Sequence, residues 1–254
     1  MTPELIIAGF HRSGTSFTAQ TLHQHGLFLG DDLLGAAPSN PYGHFEDRTV
    51  VTLHDDLLRD NGETWQVDRP LLPVVQPAIW DRIESFVSYR RGRHTFWGFK
   101  DPRACLFLGL WRHIMPDARL VAVYRPYWSS VSSLHRRHGY QLAVDQPPAD
   151  VHLRFFEEPD LALRMWINHN LALIRECRAF AARSLVVSFD ALAKGFPLVQ
   201  RLRDRWSLPL DRPQLTSSFD PGATDSGRHV RIFDPALRER ADDIMKQLEE
   251  LHVD

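Results

Sequence analysis

The chain has few of the features that mark secreted, membrane-spanning or metal-binding proteins. It has only two cysteines, Cys105 and Cys177, each in an apolar stretch and neither at metal-site spacing, which favours buried thiols in a reducing compartment. No apolar run approaches the roughly 18 residues that cross a bilayer. Strand-like sequence begins by Glu4, which leaves no room for a signal peptide. We therefore expect a soluble, cytoplasmic protein with no membrane span.

The net charge and the spacing of the histidines argue against two further classes, nucleic-acid-binding proteins and metal-binding proteins. A net charge of −2 over 254 residues argues against a protein whose main task is to bind nucleic acid. The 13 histidines lack H-E-x-x-H spacing, so we predict no metal site. The arginines cluster at residues 90–93, which we interpret as a solvated loop, and at residues 136–137, so local anion sites stay open.

Hydrophobic patterning predicts an α/β fold. Runs rich in aliphatic or aromatic residues at positions 4–9, 95–99, 119–124 and 184–189 predict strands, and helical patterns separate them. Alternation of this kind is typical of a mostly parallel sheet with helices on both faces. We predict a three-layer α/β/α fold in one domain, residues 1–254.

Helices and loops follow from local signals. We predict helices from about Ser13 to His25, over residues 160–183, and over residues 235–251 with Asp234 as N-cap and Pro235 in the first turn. Residues 62–77, 140–159 and 216–231 show little periodicity and are predicted as loops that cover or line a binding site.

The loop at residues 9–16, G-F-H-R-S-G-T-S, follows the first predicted strand and precedes the first helix. Such a loop directs backbone N–H groups and a helix dipole at an anion. Its glycines have P-loop spacing, which gives the predicted fold its P-loop nucleotide-binding type. Thr15 stands where ATP- and GTP-binding loops have lysine, and Arg12 is the loop's cation. The loop therefore predicts a phosphate-like ligand without the lysine that contacts a γ-phosphate.

A second anion site is predicted after the third strand. Arg125 comes at the carboxyl end of that strand, where ligands bind in open α/β sheets, and Ser133 follows eight residues later. Arginine grips phosphate with two hydrogen bonds, and serine adds a donor. Two anion sites at neighbouring strand ends suit a nucleotide with phosphate groups at both ends of its ribose.

These segments together resemble the sulfotransferases that use 3′-phosphoadenosine 5′-phosphosulfate (PAPS). R-S-G-T-S at 12–16 resembles their 5′-phosphosulfate loop, Arg125 with Ser133 resembles their 3′-phosphate site, and K-D-P-R at 100–103 resembles a segment of many bacterial members. The resemblance implies PAPS as co-substrate without a metal. It also implies a set of PAPS-binding residues: Arg12, Ser13, Gly14, Thr15, Ser16, Arg125 and Ser133.

The sequence also departs from that family. His11 stands where proline is usual, S-F-D at 188–190 stands where many members have a Tyr-Glu pair, and the glycine-rich tail motif is absent. Arg228 and His229 are predicted to replace the cations of that tail.

The resemblance also implies catalytic roles. Arg12 would hold the phosphosulfate, and Lys100 would neutralise charge on the bridging oxygen or the transferring group. Glu46, in N-P-Y-G-H-F-E-D at 40–47, is our first candidate for the base, with His44 and Asp101 as alternatives. Alternatively, Glu46 is an acid in the first turn of a helix without a catalytic role, because the helix dipole favours negative charge there.

The acceptor is predicted to be a hydroxyl-bearing small molecule, lipid or carbohydrate, and the oligomeric state stays open. Two other functions remain. A P-loop small-molecule kinase would need Mg²⁺ and a terminal-phosphate lysine, and a non-catalytic nucleotide-binding module would bind without transfer.

Overall fold

The computed structural model describes residues 2–36, 43–145, 149–211 and 230–252. The strands in those residues form one parallel sheet in the order β2-β1-β3-β4. They are β1 (Glu4–Ala8), β2 (Trp97–Lys100), β3 (Arg119–Tyr124) and β4 (Ser184–Ser188). Each lies within two residues of its predicted bounds. Because the strands are parallel, their carboxyl ends share one edge of the sheet.

Helices connect the strands, as predicted. They are α1 (Thr15–Gln24), α2 (Arg48–Asp60), α3 (Pro77–Arg93), α4 (Ala104–Ile114), α5 (Tyr127–Val144), α6 (Asp150–Glu157), α7 (Leu161–Ala179), α8 (Phe189–Ala193), α9 (Leu198–Trp206) and α10 (Pro235–Leu251), with a short 3₁₀ turn at Ala181–Arg183. The prediction for α10 is confirmed: the Asp234 side chain accepts from the Ala236 N–H at 2.9 Å, and Pro235 lies in the first turn.

The two faces of the sheet bury separate hydrophobic cores. Along β1, Ile6 and Ala8 join the larger core, and Leu5 and Ile7 join the smaller one. This alternation is the period of two expected for a strand. The larger core also contains side chains of α2, α3, α4, α5, α6, α7 and α10, and the smaller core contains side chains of α1, α8 and α9. The predicted three-layer α/β/α arrangement is therefore confirmed.

Two local predictions were wrong. Residues 140–159 are not one loop, because α5 reaches Val144 and α6 occupies Asp150–Glu157. The prolines of this segment flank α6, and Phe155 on α6 is buried in the larger core. The arginines at 90–93 end α3, where Arg90 is buried against Asp31 and Asp47 and Arg91 pairs with Glu4. Their acidic partners are distant in sequence, so a local pattern could not reveal them.

The structure also bears on the predictions for the cysteines and for the two other predicted loops. Cys105 and Cys177 are both buried and unbridged, as predicted. Residues 62–76 contain no helix or strand, and α3 begins at Pro77. Most of residues 216–231 lie outside the described residues. In the part of the chain that the structure describes, no helix has the length and apolarity to cross a membrane.

Candidate active site

Backbone geometry shapes the loop between β1 and α1. A Cβ atom on Gly9 would overlap the Val123 carbonyl oxygen of β3. The backbone that follows β1 therefore lies closer to β3 than a residue with a side chain would allow. Gly14 has φ 91° and caps α1. Arg12 has φ 64°, a left-handed conformation that costs a non-glycine residue about 1 kcal/mol or more. The strained residue is thus the loop's cation, which marks the loop as a candidate functional site.

The structure brings the residues of the two predicted phosphate sites together. The Arg12 Nε donates to the Ser133 Oγ at 3.0 Å, and the Arg125 Nη1 lies 3.4 Å from the Arg12 carbonyl oxygen. The Arg125 guanidinium also lies over the Phe189 ring, 5.0 Å from its centroid. The two predicted anion sites are therefore adjacent, on one surface at the carboxyl ends of β1 and β3.

This surface is strongly electropositive. Burial, and then the charges of Arg137, Arg125 and Arg136, lower the pKa of Arg12 to about 10. An arginine pKa falls when other cations crowd it, because the charged form is then less favourable. A bound polyanion would relieve that repulsion.

A polar triad lies on the other side of the loop. Lys100, at the end of β2, is buried, and its Nζ donates to the Glu46 Oε1 at 2.7 Å and to the Ser16 Oγ at 3.1 Å. The Ser16 Oγ also lies 3.3 Å from the His44 carbonyl oxygen. The structure thus joins the predicted base, the predicted charge-neutralising lysine and the loop serine in one contact set.

Glu46 is positioned by its neighbours in the chain. The Leu34 N–H donates to the Glu46 carbonyl at 2.8 Å, and Leu33 and Asp47 form an antiparallel bridge. Asp47 caps α2 by accepting from the Thr49 N–H at 2.8 Å, and its carboxylate also binds Arg90. Asp47, not Glu46, is therefore the acid that caps the helix, and the Glu46 side chain contacts Lys100 instead.

The two alternative bases have different surroundings. His44 lies near Glu46, where burial and the charges of Lys100, Arg137 and Arg12 lower its pKa to about 4. Asp101 is fully buried and binds the Arg103 guanidinium at 2.7 Å and the His54 Nδ1 at 3.0 Å. Burial alone would raise the pKa of Asp101, but the charges of Arg103 and His54 outweigh it and hold that pKa well below its usual range. Asp101 thus has a structural role already.

A cavity of about 350 Å³ opens beside Glu46 and His44. The other residues that line it are His11, Leu34, Trp65, Asp101, Pro102, Arg103, Leu134, Arg137, His138, Val151 and His152. The sequence predicted the segment of Trp65 to line a binding site and left residues 136–137 open as an anion site, but it did not assign Arg137 or His138 to this site. A signal for Arg137 existed, because it follows Ser133 by four residues on one helix and so shares its face.

Ser13, Thr15, Arg228 and His229 are the predicted site residues that remain. Ser13 and Thr15 are buried in the loop, and the Ser13 Oγ has no hydrogen-bond partner among the described residues. Arg228 and His229 lie outside the described residues. Trp166 is buried, and its Nε1 donates to the Arg125 carbonyl at 3.1 Å, which fixes the end of β3. Within the described ranges, no group of three His, Cys, Asp or Glu side chains is placed to hold a metal.

Comparison with known proteins adds evidence on the fold. No protein-family model matches the chain, and a search of curated proteins finds no match. The chain is similar to the solved sulfotransferase domain from the curacin biosynthetic pathway, with 12% identity, a TM-score of 0.56, and coverage of 97% of this chain and 98% of that chain. It is also similar to sulfotransferase STF1 from Mycobacterium tuberculosis H37Rv, with 15% identity, a TM-score of 0.47, and coverage of 99% and 78%. The chain has the three-layer α/β/α fold of the curacin sulfotransferase domain, the P-loop type that its sequence predicts.

Proposed function

We propose that the protein is a sulfotransferase that transfers a sulfuryl group from PAPS to a hydroxyl group of an acceptor. One observation carries the proposal: Arg12, Arg125 and Ser133 converge at a P-loop that has Thr15 in place of the γ-phosphate lysine. Such a site suits a ligand with two phosphate-like groups on one ribose. The fold shared with a sulfotransferase domain supports the same function.

The donor would be bound by the electropositive surface. Arg12 and the N–H groups of the loop would hold the 5′-phosphosulfate, with Ser13, Gly14, Thr15 and Ser16 as the loop contacts. Arg125 and Ser133 would hold the 3′-phosphate by charge-assisted hydrogen bonds. The Arg12–Ser133 contact would couple the two subsites.

Glu46 would act as the base, and Lys100 would stabilise the negative charge that develops during transfer. Glu46 would accept the proton of the acceptor hydroxyl as the oxygen attacks sulfur. The new S–O bond forms as the bond between sulfur and the bridging oxygen breaks, and adenosine 3′,5′-bisphosphate leaves. Lys100, between Ser16 and Glu46, would neutralise the charge that develops on the bridging oxygen. A loose, in-line transfer of this kind depends on positioning and electrostatics and requires no metal.

A transfer assay tests the proposal. The full chain is incubated with PAPS, EDTA and a panel of phenols, fatty alcohols and sugars, and the release of adenosine 3′,5′-bisphosphate is measured with and without each acceptor. We expect acceptor-dependent release together with a sulfated product. Release that no acceptor stimulates, combined with phosphorylation of the same panel from ATP and Mg²⁺, would identify a kinase instead.

A further inference from the structure

We propose that the acceptor carries an anionic group, such as a carboxylate, and that Arg137 binds this group in the cavity beside Glu46. The inference deepens the proposed function and rests on it. Arg137 and Glu46 both line the same cavity, so both are within reach of one molecule bound there. Arg137 would therefore determine which hydroxyl compounds the enzyme accepts.

The cavity has the size and walls of a small-molecule site. Its volume of about 350 Å³ lies in the range of ligand pockets, and Leu34, Trp65, Leu134 and Val151 give it apolar walls. The Trp65 ring stacks on His138, with ring centroids 5.6 Å apart and planes inclined by 23°. This surface suits an apolar or aromatic body that joins the hydroxyl to the anionic group.

Most charges that line the cavity are already paired. Glu46 binds Lys100, Asp101 binds both Arg103 and His54, and Arg103 also contacts Asp55. These contacts satisfy both acids and one of the two arginines of the lining. The second arginine is Arg137.

Arg137 differs because it makes no hydrogen bond or ion pair with any residue that the structure describes. It is partly buried, and burial lowers its pKa, while the charge of Glu46 opposes that shift. Of the acids that the structure describes, Glu46 is the one whose charge raises the pKa of Arg137, and its Oε1 already accepts a hydrogen bond from Lys100. A guanidinium carries five N–H donors, and one that lines a cavity without a partner among the described residues favours an anionic ligand there.

Three of the four histidines that line the cavity, His11, His44 and His138, add no positive charge to it. Burial, with further contributions from His169 for His11 and from Arg137 for His138, lowers the pKa of both residues, to about 3 for His138. His44 is lowered to about 4. These three imidazoles are therefore neutral near pH 7, and they add no positive charge that would compete with Arg137 for an anion.

Calorimetry with paired probes tests the inference. The full chain, saturated with adenosine 3′,5′-bisphosphate, is titrated with 4-hydroxyphenylacetate and with 10-hydroxydecanoate, each against its neutral amide. We expect at least one carboxylate to bind about tenfold or more tightly than its amide, the size of a charge-assisted hydrogen bond. Arg137→Ala should abolish this preference, Arg137→Lys should retain part of it, and Arg240→Ala, which removes an exposed arginine of α10, should leave it intact.

Three results would overturn the inference. The first is the absence of a carboxylate preference in the unmodified chain, and the second is the survival of that preference in Arg137→Ala. The third is an Arg137→Ala variant that loses affinity for PAPS but not for adenosine 3′,5′-bisphosphate, which would assign Arg137 to the sulfuryl group of the donor. Binding of the bisphosphate is measured first, and the titrations are repeated without it, so failure of the donor site is distinguished from failure of the acceptor site.

Discussion

At the residue scale, Arg125 is the side chain that should distinguish a 3′-phosphate from a 3′-hydroxyl. We predict that Arg125→Ala weakens binding of adenosine 3′,5′-bisphosphate by about 1.5–3 kcal/mol, the loss expected for a charged hydrogen bond, and barely changes binding of AMP. Calorimetric titration of both nucleotides measures this difference, with Arg240→Ala as the charge-matched control.

The same titration distinguishes a role of Arg125 in binding the 3′-phosphate from a role in holding the loop in place. Arg125 also lies near the Arg12 carbonyl oxygen and over the Phe189 ring. If Arg125→Ala weakened both nucleotides equally, these contacts would explain the loss, and Arg125 would be a residue that holds the loop.

Glu46 is the second residue whose replacement is informative. We predict that Glu46→Gln lowers turnover by about 10²–10⁴, because the amide cannot accept the hydroxyl proton, and leaves adenosine 3′,5′-bisphosphate binding nearly unchanged. Glu239→Gln, at an exposed position of α10, is the matched control. Near-normal turnover in Glu46→Gln would transfer the role of base to His44, since the Asp101 carboxylate is buried among Arg103 and His54.

At the element scale, the loop between β1 and α1 depends on close contact between β1 and β3. We predict that Gly9→Ala destabilises the fold by about 1–3 kcal/mol, because its Cβ would meet the Val123 carbonyl oxygen. Gly92→Ala is the control: nothing lies within 4 Å of a Cβ there, and helix α3 should gain up to about 1 kcal/mol. Chemical denaturation of both variants measures the two changes. Equal stability would show that the β1–β3 approach is not tight.

The elements also show which features a sequence can predict. The four strands, α10 and the P-loop follow from signals within a few residues: apolar runs, a capping aspartate and glycine spacing. Arg125 and Arg12 could be placed together because carboxyl ends of parallel strands share an edge. Helix α6 was missed because it is short and its burial depends on α5.

Contacts between distant segments could not be predicted in the same way. The Lys100–Glu46 pair joins residues 54 positions apart and depends on how the segment before α2 folds over β2. Arg90 was misassigned for the same reason, since its partners, Asp31 and Asp47, lie more than 40 positions away in sequence. The cavity beside Glu46 likewise exists only once α5, α6 and the Glu46 segment have packed.

At the scale of the whole molecule, we predict that the electropositive surface around Arg12 binds a nucleotide with both 3′- and 5′-phosphate groups. Four arginines influence that surface, and the charge of three of them lowers the pKa of the fourth. A bisphosphate that binds the folded state alone should therefore raise the melting temperature, by the equivalent of about 2.7 kcal/mol at 100 times its dissociation constant.

The most direct measurement is the melting temperature of the full chain with adenosine 3′,5′-bisphosphate or with ATP and Mg²⁺, each with and without EDTA. We predict that the bisphosphate stabilises the protein to the same extent with and without EDTA, and that ATP stabilises it less. Stabilisation by ATP that requires Mg²⁺, without an effect of the bisphosphate, would overturn the proposed function and favour a kinase.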